Sequence, residues 1–163
     1  MLENSKHIII IGAGIAGLTA ALSLRHFGIR TSIYERSPKI ISAGAGIQLS
    51  PNANRVLSRI GVLKEISSVS IRCHGVKVFD YKSNQQLALF DYMKFKGNDL
   101  FYFCHRADLV GILYAACQKL EIPVYFNKKV EKIVNNKAIF SDGEALPAEL
   151  IIGADGLHSN VRK

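Results

Sequence analysis

The chain has 163 residues, 48% hydrophobic and 21% charged, a composition that suits a folded globular protein and excludes a disordered one. Its net charge of +8 would admit an anionic partner. The basic residues are scattered, however, with small groups only at Lys94 and Lys96 and at Lys128, Lys129 and Lys132, so no nucleic-acid-binding module is expected. No apolar run is long enough to cross a bilayer, and the apolar N-terminal stretch is interrupted by Gly12, Gly14 and Gly17 and lacks a basic leader. Neither a membrane span nor a secretory signal is therefore expected.

Residues 7–11 (HIIII) form a continuous β-branched run, as in a strand buried on both faces of a parallel sheet. Residues 15–27 read as a helix, with Ile15, Leu18, Ala21 and Leu22 on one side and Gly28 as its C-terminal cap. Residues 30–34 (RTSIY) make a second strand, completing a β-α-β unit of the usual size. GAGIQL, residues 44–49, is a small-residue turn entering a strand. A helix follows, with Ser50 as N-cap, Pro51 at its first position, Val56, Leu57 and Ile60 on its apolar face and Gly61 at its end.

Residues 75–92 read as a hairpin turning near Ser83 and Asn84. A helix over about Ala107–Leu120 carries Leu109, Ile112, Leu113, Ala116 and Leu120 as its stripe. The strand IPVYF, a small meander through VEKIVNN and KAIFSDG, and a strand AELIIG ending in the turn ADG complete the chain. The expected class is α/β: a Rossmann-like parallel sheet with flanking helices and an inserted antiparallel β element, taken as one domain over 1–163. Cys73, Cys104 and Cys117 form no zinc or redox motif and are expected as buried free thiols in a reducing cytosol; no metal site is expected.

Gly12, Gly14 and Gly17 give G-x-G-x-x-G directly between a strand and a helix. The first glycine permits the tight turn, the second lets a pyrophosphate approach the backbone, and the third lets helix and strand pack closely. The helix start adds unpaired N–H groups and the positive end of its dipole. Glu35 ends the second strand about twenty residues further on, where a carboxylate accepts bonds from ribose hydroxyls and repels a 2′-phosphate. FAD or NAD is thereby favoured over NADP. The same glycines could instead serve packing alone, with Glu35 a solvated strand end.

Five stretches in order resemble the FAD-dependent monooxygenases of the aromatic hydroxylase type, most of all salicylate hydroxylase and its relatives. They are GAGIAGLTAALSL at 12–24, YERSP at 34–38, GAGIQLSPNANRVL at 44–57, HRADL at 105–109 and GADGLHSNVR at 153–162. The resemblance implies that Gly12, Ala13, Gly14 and Gly17 cradle the FAD pyrophosphate and that Glu35 holds the adenosine ribose. It places Arg36 along the adenine edge, Gly44 and Gly46 near the flavin ring, and Arg106 at the FAD from the start of its helix. It also assigns Val130 to adenine through its backbone, and Asp155 and Gly156 to the ribityl or pyrophosphate region. Plainer roles stand beside these: an ion pair for Arg106, core packing for Val130, a simple turn for Asp155 and Gly156. His105 and His158 are not read as catalytic.

The resemblance spans the whole chain but only the N-terminal part of the family. The family's later Gly-Asp motif, its larger substrate-binding sheet and its C-terminal helices have no counterpart here. The family uses NAD(P)H and O₂ to hydroxylate an aromatic substrate inside a water-poor pocket. No catalytic residue is assigned in this chain, which is expected to be inactive or poorly active alone. Loss of the covering half is expected to expose apolar surface and favour self-association. Two other classes remain open: a remnant that folds or self-associates without flavin, and an NAD-binding regulatory domain.

Overall fold

The computed structural model describes residues 7–40, 44–94 and 100–162. In chain order it begins with β1 (His7–Ile11), α1 (Ile15–His26) and β2 (Arg30–Tyr34). Then come β3 (Gly46–Leu49), α2 (Pro51–Arg59), α3 (Leu63–Ser68), β4 (Ile71–Cys73), β5 (Gly75–Phe79), β6 (Gln86–Asp91), a 3-10 turn at Tyr92–Lys94, and β7 (Phe101–His105). The last stretch holds α4 (Arg106–Lys119), β8 (Val124–Tyr125), β9 (Val130–Val134), β10 (Lys137–Phe140), β11 (Ala145–Pro147) and β12 (Leu150–Gly153). The chain divides into two compact units, Met1–Ala43 with Leu109–Lys163, and Gly44–Asp108. The second of these is the expected antiparallel insertion.

The first unit is built on a parallel sheet of order β12-β1-β2-β8. All four isoleucines of β1 are buried because both faces of this central strand are covered. Ile8 and Ile10 lie level with Thr31 and Ile33, and Ile10 reaches Gly17 of α1. Ile9 and Ile11 turn the other way, joining Tyr34, Val130, Ala138 and Phe140 in one cluster. That cluster is roofed by the antiparallel sheet β11-β10-β9. Burying each such side chain contributes about 1.5–3 kcal/mol, so this run of isoleucines anchors the sheet.

Helix α1 ends at His26. Gly28, at φ 73°, takes the left-handed position, and the N–H groups of Gly28 and Ile29 bond the carbonyls of Arg25 and Leu24. On α4 the buried residues are Leu109, Val110, Leu113 and Cys117, while Leu120 lies past the helix end and is exposed. The expected stripe was therefore turned by one position, because valine and cysteine fill the inward side. Cys117 points its thiol at the Leu18 carbonyl of α1, and burial pushes its pKa up to about 12. All three cysteines are free and buried, as composition led us to expect.

The second unit pairs β3 and β4 with β7 in an antiparallel sheet and adds the β5–β6 hairpin. The hairpin turns where expected: Asp80 accepts the N–H groups of Lys82 and Ser83, and Asn84 sits at φ 55°. Helix α2 has its expected start at Pro51, but Ser50 makes no side-chain capping bond. Its buried face is Asn54 and Leu57, not Val56, which is exposed. Asn54 can be inward because its amide donates to the Leu100 carbonyl at 2.7 Å. Elements α3, β4 and β7 were not anticipated. The first two are too short to show a period, and α3 is held by the wholly buried Ile66.

Candidate cofactor site

Strand β2 lies on one side of β1 and β12 on the other, so the chain changes direction between β1 and β12. In an open parallel sheet the crevice at such a point, beyond the carboxyl ends of the strands, is where ligands bind. Three strand ends converge there. Gly12 N–H donates to the Tyr34 carbonyl at 2.8 Å, and Ala154 N–H donates to the Ile11 carbonyl at 2.7 Å.

The three motif glycines meet different constraints. Gly12 has φ 106°, and a Cβ there would stand 2.4 Å from the Ala154 carbonyl oxygen. A Cβ on Gly17 would stand 1.9 Å from the Gly12 carbonyl oxygen. Both glycines are thus demanded by packing of the protein on itself. Gly14 differs: its φ is −80°, and a Cβ would meet nothing within 4 Å. It is the N-cap of α1, which has no side-chain cap and no acidic residue in its first turn. Open space therefore stands before a helix start whose N–H groups face outward, the arrangement a diphosphate requires.

Glu35 reaches back to this loop. Its Oε2 accepts the Ala13 N–H at 2.8 Å and its Oε1 accepts the Ser37 N–H at 2.9 Å. Each carboxylate oxygen has further acceptor capacity for a ribose hydroxyl. The Ala13 amide is directed at Glu35, so this residue acts by locking the acid to the glycine loop. Arg36 is exposed beside it.

Asp155 follows β12 and is half-buried next to Gly12, while Gly156 takes φ 81°. Its Oδ2 accepts the N–H of Asn160 at 2.7 Å and of Val161 at 3.3 Å. Burial raises its pKa, but the Ser159 hydroxyl and these two amides outweigh that and hold the carboxyl below its ordinary value. A depressed folded-state pKa stabilises this turn at pH values above the unfolded one, about 4, and the benefit is lost as pH falls through the folded value. Protection of the Asn160 amide from hydrogen exchange, relative to its intrinsic rate, is expected to fall below about pH 4. Undiminished protection down to about pH 2 would count against this linkage.

Val130 opens β9 with its side chain buried in the core cluster, and its carbonyl accepts the Asn160 Nδ2–H at 2.9 Å. Asn160 was not singled out from sequence. The signal available was an Asp-Gly turn followed within a few residues by a polar side chain, a pattern that marks turn capping.

Gly46 and Arg106 belong to the second unit. Gly46 pairs with His105 across β3 and β7, and Arg106 N–H donates to the Ala45 carbonyl at 3.2 Å. The close approach falls at Gly44, where a Cβ would stand 3.0 Å from Arg106 Cβ. A Cβ on Gly46 would meet only the Cys104 carbonyl oxygen, at 4.0 Å. Crowding within the protein thus falls at Gly44, where the arginine's own stem fills the room. Among the described residues no group of three or more His, Cys, Asp or Glu could hold a metal ion, and no helix is long and apolar enough to cross a membrane.

Glycine loop, open helix start, anchored acid and Asp-Gly turn define a dinucleotide-binding α/β domain. A family model described as an FAD binding domain matches residues 5–163, and the chain belongs to this family, whose members here are FAD-dependent aromatic monooxygenases. It is 33% identical to 3-amino-4-hydroxybenzoate 2-monooxygenase of Streptomyces cremeus, over 100% of this chain and 43% of that protein. It is 35% identical to 3-hydroxybenzoate 6-hydroxylase 1 of Aquipseudomonas alcaligenes, over 97% of this chain and 42% of that protein. A solved structure of 2-methyl-3-hydroxypyridine-5-carboxylic acid oxygenase superimposes with a TM-score of 0.89 at 27% identity, over 98% of this chain and 42% of that one. The chain thus spans less than half the length of the relatives it matches.

Proposed function

We propose that this chain is the N-terminal FAD-binding portion of a cytoplasmic, NAD(P)H-dependent monooxygenase that hydroxylates a salicylate-like aromatic acid, and that alone it binds FAD without hydroxylating. The carrying observation is the open space at Gly14 before an uncapped helix, with Glu35 locked alongside by the Ala13 amide. When bound, FAD supplies the redox chemistry. This chain's residues bind and orient it. Gly14 and the start of α1 face the diphosphate, Ala13 holds Glu35 alongside, Gly12 and Gly17 keep the loop and α1 close, and Glu35 accepts from the ribose. Asp155 and Gly156 border the diphosphate or ribityl end, and Val130 borders the adenine. Arg36, Gly46 and Arg106 take their assignments from the family resemblance. The substrate class is supported by two relatives whose names specify hydroxybenzoates.

The test is an FAD titration of the purified chain, with intact mass, light scattering and flavin fluorescence on one sample. Saturable FAD binding that excess NAD does not displace, without substrate-dependent hydroxylation, is the expected result. Sustained hydroxylation would overturn the claim of inactivity, and NAD winning the competition would favour a regulatory domain. A folded chain that ignores FAD while its mass climbs with concentration would favour a self-associating remnant. That second reading is supported by the exposed Phe79, Leu87, Leu89 and Phe90 of the hairpin.

A further inference from the structure

Two rims border the Glu35 and glycine loops in the first unit. One is the segment leading into β9, where Asn127 N–H donates to the Ser37 carbonyl at 3.1 Å and Lys128 N–H to the Glu35 carbonyl at 2.8 Å. Two residues later Val130 turns its side chain into the core. The other rim is the turn that starts at Asp155, beside Gly12. Asn160 bonds to both. Its backbone N–H goes to Asp155 Oδ2 and its side-chain amide to the Val130 carbonyl, at 2.7 and 2.9 Å. A carbonyl only accepts, so the amide nitrogen must be the atom presented to Val130.

We infer that Asn160 is a positioning residue for the ADP part of the cofactor, setting the gap between the Val130 rim at the adenine and the Asp155 turn at the diphosphate. The inference rests on the FAD reading above. Each rim has its own tie to the framework: β12 pairs with β1, and β9 pairs with β10. Losing the Asn160 amide therefore leaves the sheets and the core cluster intact. What it removes is the cross-bond that holds the two rims in one register. Glu35 is bonded to the first rim through its carbonyl and, through its carboxylate, to the glycine loop that borders the second, so a ligand lying from that loop to Glu35 contacts both rims and reads their separation. A residue that merely supported the fold would act on stability first and on ligand second. Asn160, half-buried and outside the apolar cluster, acts in the opposite order.

The test titrates the wild-type chain and the variants Asn160→Ala, Asn160→Leu and Asn160→Gln with FAD and separately with ADP, and records a thermal melt of each. Ala and Leu remove the donor without adding charge. Gln keeps a donor on a longer stem. Expected are similar losses of affinity for FAD and for ADP, roughly three- to tenfold in Ala and Leu, with partial recovery in Gln and unchanged melting midpoints. Unchanged FAD and ADP affinity in Ala and Leu, with the wild type binding normally, overturns the inference alone. So does a loss that tracks a fallen midpoint, with Gln no better than Ala. A folded wild-type chain that binds no FAD overturns the FAD reading and this inference with it.

Discussion

Gly17→Ala is expected to destabilise the chain severely, whereas Gly14→Val leaves it folded and impairs FAD binding. The two glycines sit three residues apart in one motif, yet their surroundings are opposite. At Gly17 the added Cβ would lie 1.9 Å from the Gly12 carbonyl oxygen, with Ile10 Cγ2 at 3.3 Å behind it. The carbonyl is backbone and cannot swing aside, so α1 must lift from β1 and disturb the buried run beneath. Overpacking of this kind costs about 3 kcal/mol or more, and alanine's better helix propensity recovers only about 1 kcal/mol. A fall of several degrees in the melting midpoint follows, roughly 4–8 °C for a net 2 kcal/mol in a chain of this size.

At Gly14 the φ of −80° suits any residue, and a Cβ points into empty space. Valine there meets no clash and costs about 1 kcal/mol as a poorer N-cap than glycine, but its methyl groups occupy the room before the helix start. FAD affinity is expected to drop at least tenfold, about 1.4 kcal/mol. Parallel melts and FAD titrations of the two variants check both halves. A Gly14→Val chain that melts as early as Gly17→Ala, or that binds FAD normally, would sink the assignment of that space to the diphosphate.

The second large effect is expected at Glu35. Its carboxylate accepts two backbone N–H groups and so joins the end of β2 to the glycine loop before any ligand arrives. Hydrogen bonds to a charged partner contribute about 1.5–3 kcal/mol each, so Glu35→Ala is expected to weaken FAD roughly tenfold to a hundredfold. Glu35→Gln tests the geometry further. Its amide nitrogen cannot accept, so one of the Ala13 and Ser37 N–H groups is left facing a donor. Glutamine is therefore expected to recover little of the lost affinity. Isothermal titration with FAD, and with riboflavin as a ligand lacking the adenosine end, separates the outcomes. Only FAD binding is expected to suffer, and wild-type FAD affinity in Glu35→Ala would refute the role.

The sequence by itself determined the β1–α1–β2 start, the class of the fold and the identity of the glycine loop. Those features depend on residues close along the chain: a run of isoleucines, a turn that needs Gly12, a helix closed by Gly28, and an acid at the end of the next strand. Periods and turn chemistry act over that range, so they can be read without coordinates. The hairpin near Asn84 and the start of α2 at Pro51 were legible for the same reason.

Only the tertiary structure showed which atoms crowd each glycine of the motif and which glycine is left open. Gly12 and Gly17 are constrained by Ala154 and by Gly12 itself, and Gly14 by nothing in the protein. The motif assigns each glycine a role, but the atom that crowds Gly12 comes from Ala154, far along the chain, and the one that crowds Gly17 is the Gly12 carbonyl folded back onto the helix. The inward face of α2 was misread at Val56 for a related reason: Asn54 becomes a core residue once the Leu100 carbonyl meets its amide. The cross-bond from Asn160 to Val130, between residues thirty positions apart, has no local signature either. Short-range chemistry writes elements and turns into the sequence, whereas a site formed where β1, β2 and β12 end exists only after the sheet has brought them together.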